Sequence, residues 1–307
     1  MSKTIKRFTI LITTRNRLSD LKYTLSRTEH LINREDVECI ICNDASTDGT
    51  QQFLQEEYPQ IKVINNKKSK GVLNARNLLM NSVRTEYAVT IDDDIHFLSE
   101  DPLEEIEHFF KENINCGLLG FRIYWSKEAP STLQTNQVPK KMKSFGAGAH
   151  AFRMSAWKEI PDYPSWFVFY GEEDFASLQL FKKNWDIYYF PKVLVQHRVN
   201  LKERKQEKDY LKRLRRSFRA GWYLYFIFYP LKVIPRKLMY TLWMQLKLKV
   251  FKGDIKALRA ILLALLDIIV NFPKLVRNRN RLTAEQYKKY TDLQDAVLYW
   301  SPEKEQT

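Results

Sequence analysis

The stretch Ala88–Phe97, AVTIDDDIHF, runs an apolar segment straight into three carboxylates, Asp92, Asp93 and Asp94. Adjacent like charges repel, and a desolvated carboxylate needs a partner. Side chains alternate along a strand, which predicts Asp92 and Asp94 on one side and Asp93 turned away. Two acids on one side of a strand end suit a hard cation, Mn2+ or Mg2+, which completes its shell with water and phosphate oxygens. Such a cation, shared with a diphosphate, would relieve the repulsion. The bland alternative is an acidic turn ahead of the helical stretch EDPLEEIEHFF, where negative charge meets the positive end of the helix dipole.

The elements that must position these acids alternate strand and helix in period. RFTILITT, VECIICN, IKVINN and EYAVTID read as strands, separated by helical stretches at Leu18–Ile32, after STDGT and after Gly71. Short connections between them argue for a parallel α/β sheet with right-handed crossovers. In such sheets ligands bind at the carboxyl ends of strands. Here those ends read TTRNR, NDAS and DDD, three polar termini converging on one rim. Farther along, CGLLGFRIYW and FGAGAHAFRM read as strands around a mobile loop at Ser126–Lys143. An aromatic loop and helix, DYPSWFVFYGEEDFASLQLFKKN, precede one or two closing strands in WDIYYFPKVLVQHRV. Gly146 and Gly148 either permit close approach of a ligand or mark a simple bend.

These pieces together resemble the inverting nucleotide-sugar glycosyltransferases of family 2, which have the GT-A fold. The matching segments, in order, are TILITTRNR, CNDASTDGT, KGVLNARN, TIDDD, GEEDFASLQL and VLVQH, spread over about residues 5–200. The resemblance implies a Rossmann-like, mostly parallel central sheet with helices on both faces. It also implies roles. Thr13 and Arg17 line the nucleotide pocket, and Asp44 accepts a hydrogen bond from the base. Asp92 lies near the ribose and metal, Asp94 is a direct metal ligand, and His197 completes the metal shell. Arg76 and Asp93 join the nucleotide-sugar set. Asp174 is the catalytic base, with Glu173 as the alternative in the same acidic run. Asn43 and Ala45 stand where the family often has an acid and a glycine. Each residue keeps a structural alternative: helix capping for Asp44 and Asp174, a surface position for His197, helix-face solvation for Arg76.

The implied chemistry is a single displacement. A nucleoside diphosphate leaves while Asp174 takes the proton of the attacking hydroxyl, which inverts the anomeric centre. One carboxylate near that carbon suffices, whereas glycosidases flank the bond with two. Trp166 and Tyr170, with Phe167 and Phe169, are placed to stack on the acceptor sugar; core packing is the competing use. The expected donor is a UDP-sugar, and the acceptor a lipid-linked sugar or a polysaccharide. A sugar-nucleotide nucleotidyltransferase would need a glycine-rich phosphate loop after the first strand, and TTRNR has no glycine. A non-catalytic sugar-nucleotide-binding protein would not need both acidic motifs.

Charge divides the chain. Residues 1–200 hold 26 basic and 26 acidic side chains, whereas 201–307 hold 24 and 10, so the whole excess of +14 lies in the last third. The expected organisation is a catalytic domain at 1–200, with a nucleotide-sugar half (1–98) and an acceptor half (99–200), followed by a basic, aromatic-rich helical region at 201–307. Eight basic residues between Arg204 and Arg219 flank AGWYLYFIFYP, a composition suited to an anionic membrane surface. No nucleic-acid recognition module accompanies the charge. Uncharged runs such as Ala220–Leu231 fall short of the ~20 residues a spanning helix needs. MSKTIKRFTILITT reads as a strand without a cleavage site, and the three cysteines form no disulfide framework. The expected location is the cytoplasm, peripherally at the inner face of the membrane.

Overall fold

The computed structural model describes residues 5–199 and 209–304. Residues 200–208, which hold the expected domain boundary and the start of the basic run Arg204–Arg219, lie outside the described residues.

The first half follows the sequence pattern closely: β1 (Phe8–Thr14), α1 (Leu18–Ile32), β2 (Val37–Asn43), α2 (Thr50–Glu57), β3 (Lys62–Asn65), α3 (Val72–Ser82) and β4 (Tyr87–Asp92). β1 and β2 are apolar and β-branched on both faces and almost wholly buried, as strands covered by helices on either side must be. The second half contributes β5 (Ile95–Phe97), α4 (Pro102–Glu112), β6 (Cys116–Trp125), β7 (Lys140–Lys141), β8 (Ala149–Arg153), α5 (Met154–Lys158), α6 (Glu172–Lys182) and β9 (Asp186–His197). Cys39, Cys42 and Cys116 are free and buried.

The strands form one sheet in the order β3-β2-β1-β4-β8-β6-β9-β5, with β7 also paired to β9. The sheet is mixed rather than mostly parallel. β1, β2, β3 and β4 run parallel, but β8 lies antiparallel between β4 and β6. The reason is the connection from β6 to β8: it carries no crossover helix, and a chain that returns directly must pair antiparallel.

His150 sits on β8 between Phe145 and Phe152, at ring-centroid distances of 4.8 and 5.6 Å. Burial, with Arg76 nearby, lowers its pKa from 6.5 to about 3. Between those values the unfolded chain binds a proton that the folded chain refuses. Stability contributed by this site is therefore complete above pH 6.5 and is lost as pH falls toward 3. Urea melts of His150→Phe should show a shallower stability loss below pH 6.5, by up to about 1.4 kcal/mol per pH unit.

The remaining helices are α7 (Tyr210–Phe228), α8 (Ile234–Leu248), α9 (Ile255–Arg277) and α10 (Ala284–Asp292). They pack on the α/β half through one cluster that joins Phe167, Phe175 and Leu178 to Phe218, Tyr223 and Phe228. Arg215 and Arg219 on α7 hold the buried Asp267 of α9. Among the described residues no helix is long and apolar enough to cross a membrane.

After α10 the chain returns to the sheet. Gln294 bridges Met142, Trp125 Nε1 donates to Leu298 O at 2.9 Å, and Trp300 N donates to Ile123 O at 2.9 Å. Arg122 stacks over the Trp300 ring at 4.3 Å.

Candidate active site

β4 ends at Asp92, and Asp93 and Asp94 form the turn into β5. The strand alternation expected for the three acids therefore stops after the first. Asp93 is not turned away from Asp94: Arg17 reaches Asp93 Oδ1 at 3.1 Å and Asp94 Oδ2 at 2.8 Å. Asp92 is held separately, by Arg76 Nη2 at 2.7 Å. The repulsion expected to require a cation is relieved here by two arginines. Burial, opposed mainly by Arg17, still pushes the Asp93 carboxyl up to about 7.

Asp94 is 1% exposed, and its Oδ1 lies 3.2 Å from His197 Nε2. Burial alone would raise its pKa, but His197 and Arg17 outweigh burial and hold it below the usual carboxylate range. The partnership follows from pairing in the sheet, since Ile95 of β5 faces His197 at the end of β9. Trp125 covers the His197 ring at a centroid distance of 4.0 Å, and Tyr299 covers Trp125 at 4.9 Å. His197 is thus buried, not a surface histidine.

Asp94 Oδ1 and His197 Nδ1 are buried without a hydrogen-bond partner. A carboxylate oxygen that meets an imidazole at 3.2 Å without a well-aligned hydrogen bond fits a divalent ion that draws its other ligands from water and diphosphate. The larger set expected, Asp92 with Asp94 and His197, is not gathered. Among the described residues no three metal-binding side chains converge, because Arg76 draws Asp92 toward α6. Gly148 makes room for Asp92: a Cβ there would lie 3.2 Å from Asp92 Oδ2.

Arg76 is buried on α3, not solvated on a helix face. Its Nη1 pairs with Glu172 Oε1 at 2.6 Å while Nη2 holds Asp92. One guanidinium therefore joins the acidic turn to the start of α6, where Glu173 and Asp174 follow. Asp174 Oδ1 accepts from Ser144 Oγ at 2.6 Å. Burial raises the Asp174 pKa despite Ser144 and Lys143. Burial and the neighbouring acids raise Glu173 further, and its Oε2 is buried without a partner. Lys143 is fixed in turn by an ion pair to Asp295 and by Tyr290 Oη, which donates to its carbonyl at 3.0 Å.

Thr13 pairs in register with Asp92 and stands half-buried at the rim. Asp44 does not cap α2, nor is its carboxylate open. It accepts from Asn66, Ser69, Lys70 N and Gly71 N at 2.7–2.9 Å and is 4% exposed, so meeting a base would require the loop 66–71 to open. Trp166 packs on Tyr223 of α7 at 5.2 Å, and Tyr170 lies edge-on to Phe169 at 4.4 Å. Both are half-buried against the helical region. The backbone before α6 is strained, with φ of 72° at Val168 and 69° at Tyr170. Gly171 follows at φ 83°, and a Cβ there would meet Ala220 at 3.0 Å.

Three residues at the site have no counterpart among those expected. Glu172 is signalled only as the first acid of GEED, and Ser144 by nothing local. Arg198, next to His197, donates to Thr24 Oγ1 and to the carbonyls of Asp20 and Asp93.

The description "Glycosyl transferase family 2" matches residues 9–161, a span that includes β1 through β8 and the acidic turn. The chain carries a glycosyl transferase family 2 domain. Chondroitin synthase from Escherichia coli is 33% identical over 99 residues, 31% of this chain and 14% of that enzyme. Among solved structures, the mannosyltransferase PcManGT from Pyrobaculum calidifontis, in complex with GDP-Man and Mn2+, superposes with a TM-score of 0.54 at 14% identity, covering 94% of this chain and 84% of that one. GalNAc-T7 with UDP, GalNAc and Mn2+ gives 0.54 at 13% identity, over 73% of this chain and 50% of its own. At such identities the likeness shows the fold, GT-A. The matched span contains Asp94 and ends before Asp174 and His197, and the chain spans only part of the length of chondroitin synthase and GalNAc-T7.

Proposed function

We propose that this chain transfers a sugar from a nucleoside diphosphate donor, a UDP-sugar first among them, to an acceptor hydroxyl with inversion. The observation that carries the reading is the Asp92–Arg76–Glu172 bridge, which couples the acidic turn to the helix bearing Asp174. Asp174, held by Ser144 through one oxygen, takes the acceptor proton on the other. The freed oxygen bonds to the anomeric carbon as the bond to the β-phosphate oxygen breaks, and that oxygen leaves with the electron pair. A raised pKa suits a base, because it strengthens the pull on the proton. Arg17 stands beside the acids where the diphosphate would lie. Asp94 and His197, with Asp92 nearby, would hold Mn2+ or Mg2+, which supplies positive charge to the leaving diphosphate. PcManGT and GalNAc-T7, seen with nucleotides and Mn2+, support that reading.

The acceptor side fits a polysaccharide or lipid-linked sugar at the inner membrane face, with Trp166 and Tyr170 at its edge. A thermal-shift panel of nucleotide sugars with Mn2+ tests the donor half. A UDP-sugar should raise the melting temperature only with Mn2+, and Asp94→Ala should abolish the rise. Indifference to every nucleotide sugar would remove the reading.

A further inference from the structure

The apolar face that α9 turns outward has no partner within the described chain. Ile255, Leu258, Leu262, Leu266 and Ile269 recur at three- and four-residue spacing, Val276 follows two turns on, and all are exposed, Ile269 at 69% and Ile255 at 79%. The opposite face, Ala257, Ala260, Ile261, Ala264 and Ile268, is buried, packed chiefly on α7. α9 is therefore apolar on both sides, which a helix packed on one side only does not need.

α8 extends the outward face. Met239, Tyr240 and Trp243 are exposed, and Trp243 meets the exposed Phe251 ahead of α9 at 5.9 Å. At the other end the two helices share a slot of about 220 Å3 lined by Phe226, Leu231, Ile234, Phe272, Val276 and Arg281. Arg281 Nε is buried there without a hydrogen-bond partner. The two helices thus carry exposed apolar surface at both ends of their pairing.

The charge around the face is one-sided. Between residues 230 and 282 the chain has twelve lysines and arginines and two acids, Asp254 and Asp267. Both acids are engaged: Asp254 caps α9 and accepts from Tyr210, and Asp267 pairs with Arg215. Exposed cations beside exposed aliphatic and aromatic side chains match a surface with anionic headgroups over hydrocarbon. A second copy of this chain fits worse, since it would bring the same cations together.

We propose that the outer face of α8 and α9 docks on an anionic lipid bilayer, lying in its interface without spanning it, with the slot open to an acyl chain. The docking needs no donor and does not depend on sugar transfer. In flotation assays, vesicles of phosphatidylglycerol and phosphatidylcholine should recover at least tenfold more full-length chain than phosphatidylcholine alone. Leu262→Glu combined with Ile269→Glu should cut that recovery at least tenfold. Both positions are exposed, so circular dichroism and donor-binding thermal shifts should be unchanged. Equal recovery on both vesicles, or an unaffected double variant, overturns the proposal. So does a dimer in sedimentation velocity that the double variant converts to monomer, since a second copy then covers the face.

Discussion

Asp174→Asn should reduce sugar transfer by roughly 10²–10⁴-fold, the range a positioned general base contributes, while leaving donor binding in place. The amide keeps the size of the carboxylate and can still bond Ser144, so the local fold is conserved and only the proton acceptor is removed. Nucleotide release in the presence of acceptor measures the rate; titration of a UDP-sugar by calorimetry measures binding. In the wild type the acid limb of the rate profile should lie above the ordinary carboxylate range, because burial raises the Asp174 pKa and the base works only when deprotonated. Glu173→Gln is the control. Its side chain has a buried oxygen with no partner, and a larger loss there than at Asp174 would move the base by one residue.

Arg76→Met should destabilise the protein by about 3–5 kcal/mol, the cost of removing one partner from a buried ion pair. The methionine fills similar space but leaves Glu172 and Asp92 facing each other without a cation. Glu172 is 6% exposed, so water cannot replace the lost charge. Equilibrium unfolding in guanidinium chloride measures the loss. Adding Glu172→Gln to Arg76→Met should recover part of it, because the most buried uncompensated charge is then gone. Full stability in the single variant would mean that the bridge holds nothing together.

How much of this was legible in the sequence depends on how local each determinant is. β1 to β4 and their helices follow from period and turn residues, and the structure reproduces them within a residue or two. The acidic turn is legible too, but strand alternation stops at Asp92 and does not govern Asp93 and Asp94, which lie in the turn. A strand's period holds only while its ladder continues. The sequence leaves Arg76 open between the nucleotide pocket and helix-face solvation, because its two acids are 16 and 96 residues away in the chain. The antiparallel placement of β8, the Ser144–Asp174 contact and the return of 294–300 to the sheet share that long-range origin. Asp44 was legible as important and not as what it does, since its four donors lie in the loop 66–71. Trp166 and Tyr170 belong to a half-buried seam that no local pattern distinguishes from a ligand platform.

The return of the chain after α10 ties two regions that composition alone would separate. Residues 294–300 are fastened to Met142, Ile123 and Trp125, and Trp125 lies on His197. A force applied to the helical third is therefore delivered through Trp125 to His197, as through a guy-rope. If α8 and α9 rest on a bilayer as proposed, the tilt of His197 and the acidic turn is set there, and orientation as much as affinity would decide which hydroxyl arrives.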